Sequence, residues 1–225
     1  MNRILEFTDA ISRSNVKGWL SKSEAVFLAA CASRTPGDRY IVEVGSFQGL
    51  STLFLGFGSQ IGNMPRVYAV DPHEPVGHNN AGVYGSGDQQ EFYKNISDFR
   101  LGNLIYAVSV PSVCAAGAFI NKTVGLIFID GDHSQDAVEA DIAAWEPKMD
   151  YGGLMLFHDR CETGVCAALQ RCPETMQVLG VVEQIAVFRR LLSIDGLPGH
   201  VDYNWPLELM IPIRELIERE NAASA

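Results

Sequence analysis

Two short polar segments, each placed where an apolar run stops, carry the side chains best suited to chemistry. In the first, Asp130-Gly131-Asp132-His133 follows Val124 to Ile129; in the second, His158-Asp159 follows Gly153 to Phe157. With Ser134 to Trp145 between them as a crossover helix, the two runs become parallel neighbouring strands about 4.8 Å apart, with both polar ends on one rim. Asp130, His158 and Asp159 can then share one cation. Oxygen-rich ligation with a single imidazole suits Mg²⁺ or Mn²⁺, water or substrate oxygens completing the sphere. Asp132 and Ser134 read instead as caps of the helix that follows.

A second constellation lies earlier, at Glu43-Val44-Gly45-Ser46-Phe47-Gln48-Gly49. It links a β-branched run to an apolar stretch of helical period, and Gly45 and Gly49 let the backbone approach a ligand closely. Dinucleotide-binding turns use G-x-G-x-x-G to seat a pyrophosphate on a helix N-terminus. Here the middle glycine is missing and an acid precedes the turn. That combination disfavours a pyrophosphate and suits a ligand bearing an ammonium group, such as the amino acid end of S-adenosylmethionine. The next strand, Val67 to Val70, ends in Asp71-Pro72. A carboxylate there also serves the ribose of NAD, so Asp71 alone does not discriminate.

The elements that must position these residues follow from period. Two weak helical stretches occupy the first ~38 residues, the better one at Ser23 to Ala32, and Thr35-Pro36-Gly37-Asp38 breaks it. Strands are expected at Tyr40 to Val44, Arg66 to Val70, Leu104 to Val108, Val124 to Ile129 and Gly153 to Phe157. Helices are expected at Leu50 to Phe57, Gln89 to Phe99 and Ser134 to Trp145. Continuous apolar strands alternating with helices imply a mainly parallel sheet covered on both faces. Met176 to Val182 and Gln184 to Arg190 are separated by almost nothing and should close as an antiparallel hairpin. Ile194 to Pro206 reads as loop. Pro212 can then start a helix with a Leu209, Ile213, Leu216 and Ile217 stripe. The organisation expected is a helical segment at 1–38, the α/β domain at 39–191, and a C-terminal loop and helix at 192–225 packed on the core or a partner subunit.

Bulk properties bound the function. The 225 residues suit one medium domain, and 47% hydrophobic content supplies its core. A net charge of −10 without a basic cluster argues against a nucleic-acid substrate. Five cysteines with no C-x-x-C spacing fit a reduced, cytoplasmic chain. The first ten residues lack the apolar core of a signal peptide, and no run approaches the length that spans a membrane.

The run from Ile127 to Asp159, taken with the Glu43 to Gly49 turn and Asp71, resembles the small bacterial methyltransferases grouped with macrolide-sugar and cephalosporin-pathway O-methyltransferases, and more distantly catechol O-methyltransferase. The likeness extends over roughly Tyr40 to Arg190. It implies a class I S-adenosylmethionine-dependent methyltransferase with a doubly wound, mainly parallel, seven-stranded Rossmann-like sheet ending in the hairpin. It also implies that Asp71 hydrogen-bonds the ribose hydroxyls, that Asp130, His158 and Asp159 hold a divalent metal, and that His133 takes the proton from the acceptor hydroxyl. The departure is His158, where metal-using members commonly carry a carboxylate.

The methyl donor is thus expected among Glu43, Gly45, Ser46, Gly49, Asp71, Pro72, Ser109 and Asp130, with Ser109 towards the adenine edge. His133 lies three residues after Asp130, so both can reach one ligand oxygen. The acceptor expected is a small hydroxylated molecule such as a sugar or a glycosylated secondary metabolite; a homo-oligomer is left open. The glycine- and histidine-containing loop between Pro72 and Gln90 reads as a lid, with His73 towards the site. Tyr203 and Trp205 offer cover for a sugar-like ligand, although packing of the C-terminal segment is the better reading. The competing functions are an NAD-dependent oxidoreductase, disfavoured by the turn and the hairpin, and a non-catalytic binding protein that retains the fold.

Overall fold

A computed structural model describes residues 1–73, 86–191, 203–212 and 215. Its single sheet has the order β3-β2-β1-β4-β5-β7-β6-β8, built from β1 (Tyr40–Val44), β2 (Val67–Val70), β3 (Ile105–Val108), β4 (Val124–Ile129), β5 (Met149–Phe157), β6 (Met176–Val182), β7 (Ile185–Arg190) and β8 (Ile211–Pro212). The first five strands are parallel and the last three antiparallel. This is the doubly wound sheet closed by a hairpin that the alternation of apolar runs implies. One two-residue strand is added at the far edge, where the sequence suggests the start of a helix at Pro212. The rest of that expected stripe, apart from Leu209, lies outside the described residues, as do positions 74–85 of the expected lid.

Chain reversal is what creates the site. From β1 the chain winds outward through β2 and β3, then returns to the other side of β1 as β4. The carboxyl ends of β1 and β4 therefore diverge from a common crevice, the position where open α/β sheets bind ligands. Alternate residues of β1 face opposite layers. Ile41 joins a core formed with α1 (Asn2–Ser12), α2 (Lys22–Arg34), α3 (Leu50–Ile61) and α4 (Ser86–Asp98), whereas Val42 and Val44 join one formed with α5 (Ser112–Ala116), α6 (Gln135–Trp145) and α7 (Thr163–Leu169). Helices α5 and α7 are too short to leave a periodic signal, so the sequence does not reveal them.

Several boundaries differ from expectation, two of them for identifiable reasons. Helix α2 starts one residue before Ser23 because Ser21 and Glu24 form a capping box: the Ser21 hydroxyl accepts from the Glu24 amide, and the Glu24 carboxylate accepts from the Ser21 amide. Strand β5 begins four residues early, running through Gly152 at φ +82°, with its pairing to β4 shifted between Val124 and Leu126. Such a bulge is invisible to a reading that treats paired glycines as a stop. Helix α4 begins at Ser86, three residues ahead of the expected start at Gln89.

Tyr203 and Trp205 stack at 4.6 Å, with Trp205 Nε1 donating to the Gly152 carbonyl and the Tyr203 hydroxyl donating to buried Asp150, which also pairs with Arg39. These contacts are at the opening residues of β5, the end of the strand remote from the rim. The aromatic pair therefore pins the C-terminal segment to the sheet and does not cover the crevice.

Helices α2 and α3 are held close by glycine. A Cβ at Gly58 would lie 2.2 Å from the Ala29 carbonyl oxygen and 2.8 Å from the Ala32 Cβ. Intrinsic propensity alone would make Gly58→Ala stabilising by about 1 kcal/mol. Overpacking reverses the sign, and we expect a net loss of roughly 1–3 kcal/mol. Urea denaturation would read this as a lower midpoint at unchanged slope, and a stabilised variant would contradict the helix contact.

Candidate active site

The rim is assembled by the ladder itself. Each strand hands its first post-strand amide to the neighbouring carbonyl: Gly45 N–H to Val70, Asp130 N–H to Val44, His158 N–H to Ile129 and Asp71 N–H to Val108. Asp71, Gly45, Asp130 and His158 thus line up across four adjacent strands, as the register of the apolar runs predicts.

The glycine turn is a cradle for backbone. Gly45 adopts φ +82° and Gly49 φ +90°, and a Cβ on Gly45 would sit 2.2 Å from the Asp130 carbonyl oxygen. Asp71 stabilises the turn directly: one carboxylate oxygen accepts the amides of Ser46 and Phe47, each at 2.8 Å, and the other accepts the His73 amide at 2.7 Å. His73 completes a clasp. Its ring nitrogens lie 3.0 Å from the carbonyls of Asp71 and Phe47, so it ties the second strand's end to the turn and does not project freely into the crevice. Pro72, half-buried, connects the two clamping residues. Ser109 is exposed and accepts from Gln89 Nε2 on α4.

Glu43 is placed beneath α3 and is fully buried, where Thr52 donates to one of its oxygens. Burial pushes its pKa up to about 8 against the lowering effect of the Ser51 and Thr52 hydroxyls, with Asp130 and Asp71 adding to the rise. Its second oxygen and the buried Ser46 hydroxyl have no hydrogen-bond partner among the described residues. Buried polar atoms left without a partner are uncommon and call for a water, an ion or a ligand to satisfy them.

Beside this cradle, a histidine–carboxylate cluster closes the rim. His133 Nε2 lies 3.4 Å from Asp159 Oδ2 and 3.8 Å from Asp130 Oδ1. Asp130, His133 and Asp159 offer ligand atoms that all fall within 4.8 Å of one another. His158 is buried behind them, its Nδ1 3.1 Å from Asp130 Oδ1 and 3.4 Å from Asp159 Oδ2. Asp159 holds a left-handed backbone, φ +50°, which turns its carboxylate back onto this group. The neighbouring Asp130 carboxylate raises the pKa of His133, opposed by burial and reinforced by Asp159. For His158, burial acts against the charge, but the hydrogen bond to Asp130 and the nearby carboxylates of Asp159 and Glu24 outweigh it and push the pKa up to about 12. The loop between β4 and α6 is fixed by Asp132, whose carboxylate accepts the Ser134 amide; Ser134 itself occupies the N-cap position without a side-chain bond.

Several contributors leave no motif in the sequence. Gln48 donates to Asp88 on α4, and Asn95 donates to the Gln48 carbonyl, all three side chains buried. Exposed Trp19 packs its ring 5.3 Å from Phe47 at the outer lip of the turn. Glu24, a capping residue in the sequence, reaches the rear of His158. Only the Ser21-to-Glu24 spacing could have been noticed, and it signals a cap and not a site.

Glu43 yields a pH prediction. Its folded pKa lies above the unfolded value near 4.5, so the folded state binds the extra proton. The associated stability is complete below about pH 4.5 and is lost as pH rises towards 8. Relative to Glu43→Gln, which cannot titrate, the wild-type melting temperature should decline across this window. Parallel melting curves from pH 5 to 8 would contradict a buried, titrating Glu43.

Residues 42–160 match the family described as methyltransferase domain. In fold the chain is similar to a Corynebacterium glutamicum protein, at 15% identity and TM-score 0.61 over 85% of this chain and 89% of that one. It is also similar to an O-methyltransferase from Bacillus cereus in complex with SAH, at 16% identity and TM-score 0.58 over 83% and 87%. A S-adenosylmethionine-dependent O-methyltransferase from Thermotoga maritima gives 15% identity and TM-score 0.58 over 83% and 71%. The family match covers more than half of the chain and includes both the glycine turn and the histidine–carboxylate cluster. The chain belongs to the methyltransferase-domain family and is a class I S-adenosylmethionine-dependent methyltransferase.

Proposed function

We propose that the protein is an O-methyltransferase that transfers a methyl group to a hydroxyl of a small molecule, such as a sugar or a glycosylated secondary metabolite, with His133 as general base and a divalent cation assisting. The observation that carries this reading is the convergence of His133 Nε2 with the Asp130 and Asp159 carboxylates beside the glycine cradle. The similar fold of the Bacillus cereus and Thermotoga maritima O-methyltransferases supports the same chemistry. A net charge of −10 favours a small acceptor over nucleic acid.

The donor's seat fits S-adenosylmethionine. Gly45 and Gly49 clear space for its amino acid end, the unpartnered Ser46 hydroxyl and Asp130 supply polar contacts there, and Asp71 retains one free lone pair for a ribose hydroxyl. Ser109 and Pro72 flank the nucleoside side, and buried Glu43 acts from beneath the turn. When bound, the donor supplies an electrophilic methyl on a sulfonium, so the remaining demands are alignment and activation of the acceptor oxygen. His133 meets the second demand by accepting the hydroxyl proton at Nε2, from a position half-open to solvent.

Carboxylates and imidazoles at these spacings also fit a divalent cation. Asp130 and Asp159 would hold it with His158 Nδ1, and it would neutralise the two acids and lower the pKa of a coordinated hydroxyl. The same neutralisation removes the influence that raises the pKa of His133, which makes a neutral base and a bound cation compatible.

A labelled methyl-transfer assay over pooled hydroxylated acceptors, with and without Mg²⁺ and a chelator, tests the reading. His133→Ala should lower kcat by about 10²–10⁴-fold, with S-adenosylhomocysteine affinity retained. Full transfer by that variant would remove His133 from the chemistry, and chelator-insensitive turnover would remove the cation. NADH titration should show no binding at the glycine turn.

A further inference from the structure

We infer that Glu24, a helix-capping residue of α2, is a positioning residue for the catalytic cation site and acts through His158. This rests on the metal-assisted reading above. The capping box needs only one of its carboxylate oxygens: Oε2 accepts the Ser21 amide at 2.8 Å. The side chain is nevertheless buried, 3% exposed, although a capping glutamate gains nothing from leaving water. Its other oxygen makes two contacts that capping does not explain. Oε1 accepts the Gln184 amide at 2.8 Å, from the turn between β6 and β7, and faces His158 Nε2 at 3.7 Å.

His158 is therefore bracketed. Its Nδ1 side faces Asp130 and Asp159 at 3.1 and 3.4 Å, and its Nε2 side faces Glu24. Nε2 has no hydrogen-bond partner at closer range among the described residues. Nδ1 hydrogen-bonds to Asp130. A cation that displaces the Nδ1 proton leaves an imidazole with one proton, and the carboxylate behind Nε2 favours keeping it there, so that the Nδ1 lone pair points at the space shared by the two aspartates. This is the carboxylate–histidine–cation arrangement in which the rear carboxylate fixes the tautomer and the ring orientation. Donor spacing agrees: ligands at about 2.1 Å from an octahedral ion stand about 3.0 Å apart when adjacent, close to the separation of Nδ1 from both aspartate oxygens. Because Glu24 reaches this position from α2, the N-terminal helices complete a site whose ligands all come from β4 and β5.

The test is made on the full-length protein with Mn²⁺ and Co²⁺ as probes. Calorimetry should show Mn²⁺ binding weakened by about 10–100-fold in Glu24→Gln, with S-adenosylhomocysteine affinity little changed and the Co²⁺ visible spectrum altered. Ser21→Ala, which removes only the capping partner, should lower the melting temperature and leave Mn²⁺ affinity as in wild type. Unaltered Mn²⁺ binding in Glu24→Gln would overturn the role of Glu24. Absence of Mn²⁺ binding in wild type would instead overturn the metal reading itself. Should the glutamine variant fail to fold, nitrogen NMR of wild-type protein loaded with Zn²⁺ decides: the expected state of His158 has hydrogen on Nε2, and ligation through Nε2 would overturn the proposal.

Discussion

Everything at the rim depends on the close approach of the β1 turn to the end of β4. The Gly45 Cα position lies so near the Asp130 carbonyl that any side chain would strike it, and only a residue that adopts φ +82° without penalty closes the turn there. This contact places the donor cradle and the histidine–carboxylate cluster side by side. Methyl transfer is chiefly a problem of alignment, so a fixed separation between the two sites is the main structural requirement. Asp71 and His73 serve the same end from β2. They use carboxylate and imidazole to hold the turn's backbone, so that the cradle is rigid before a ligand arrives.

The second constraint is electrostatic. Asp130, Asp159, Glu24 and Glu43 crowd into one region of an acidic chain, and they are compensated in two ways. Glu43 is relieved by protonation, with burial raising its pKa to about 8. Glu24 lies in low-dielectric surroundings that act to raise its pKa, but the His158 contact and the Ser21 and Gln184 amides lower it overall. Asp159 is held low by His158, against burial. One buried imidazole thus serves three carboxylates, an arrangement that tolerates loss of the histidine poorly because unpaired buried charge is costly. The proposed divalent cation would enter the same field, replacing part of the compensation that His158 provides.

Much of this was legible because parallel sheets write simple sequences. Continuous runs such as Val124 to Ile129 mark buried strands, and the polar residues that end them lie at one rim by register alone, so Asp71, Asp130 and His158 could be brought together without coordinates. Side-chain direction was not legible. Glu43 lies next to the last residue of β1, two positions short of the level of Asp71, and the alternation of β1 turns it under α3. Nor did the sequence reveal that Asp71 binds the turn's own amides, since a ribose ligand and a backbone nest demand the same carboxylate. Short helices and the β5 bulge were missed because a period needs several turns to register, and a bulge has none.

Long-range capping contacts are the hardest class to foresee, and Glu24 shows why. Its local signal, a serine three residues ahead, is fully explained by the helix start. The contacts that matter to the rim arise from Oε1, whose partners are a turn amide 160 residues away and a histidine at the end of β5. Sequence reasoning assigns one role per residue and stops when that role is filled. A carboxylate has two oxygens, and in a buried cap the second must also find partners. Buried caps are therefore worth tracing across the fold: the oxygen the helix does not use is free to orient a functional group, and here it stands behind the imidazole nearest both rim aspartates.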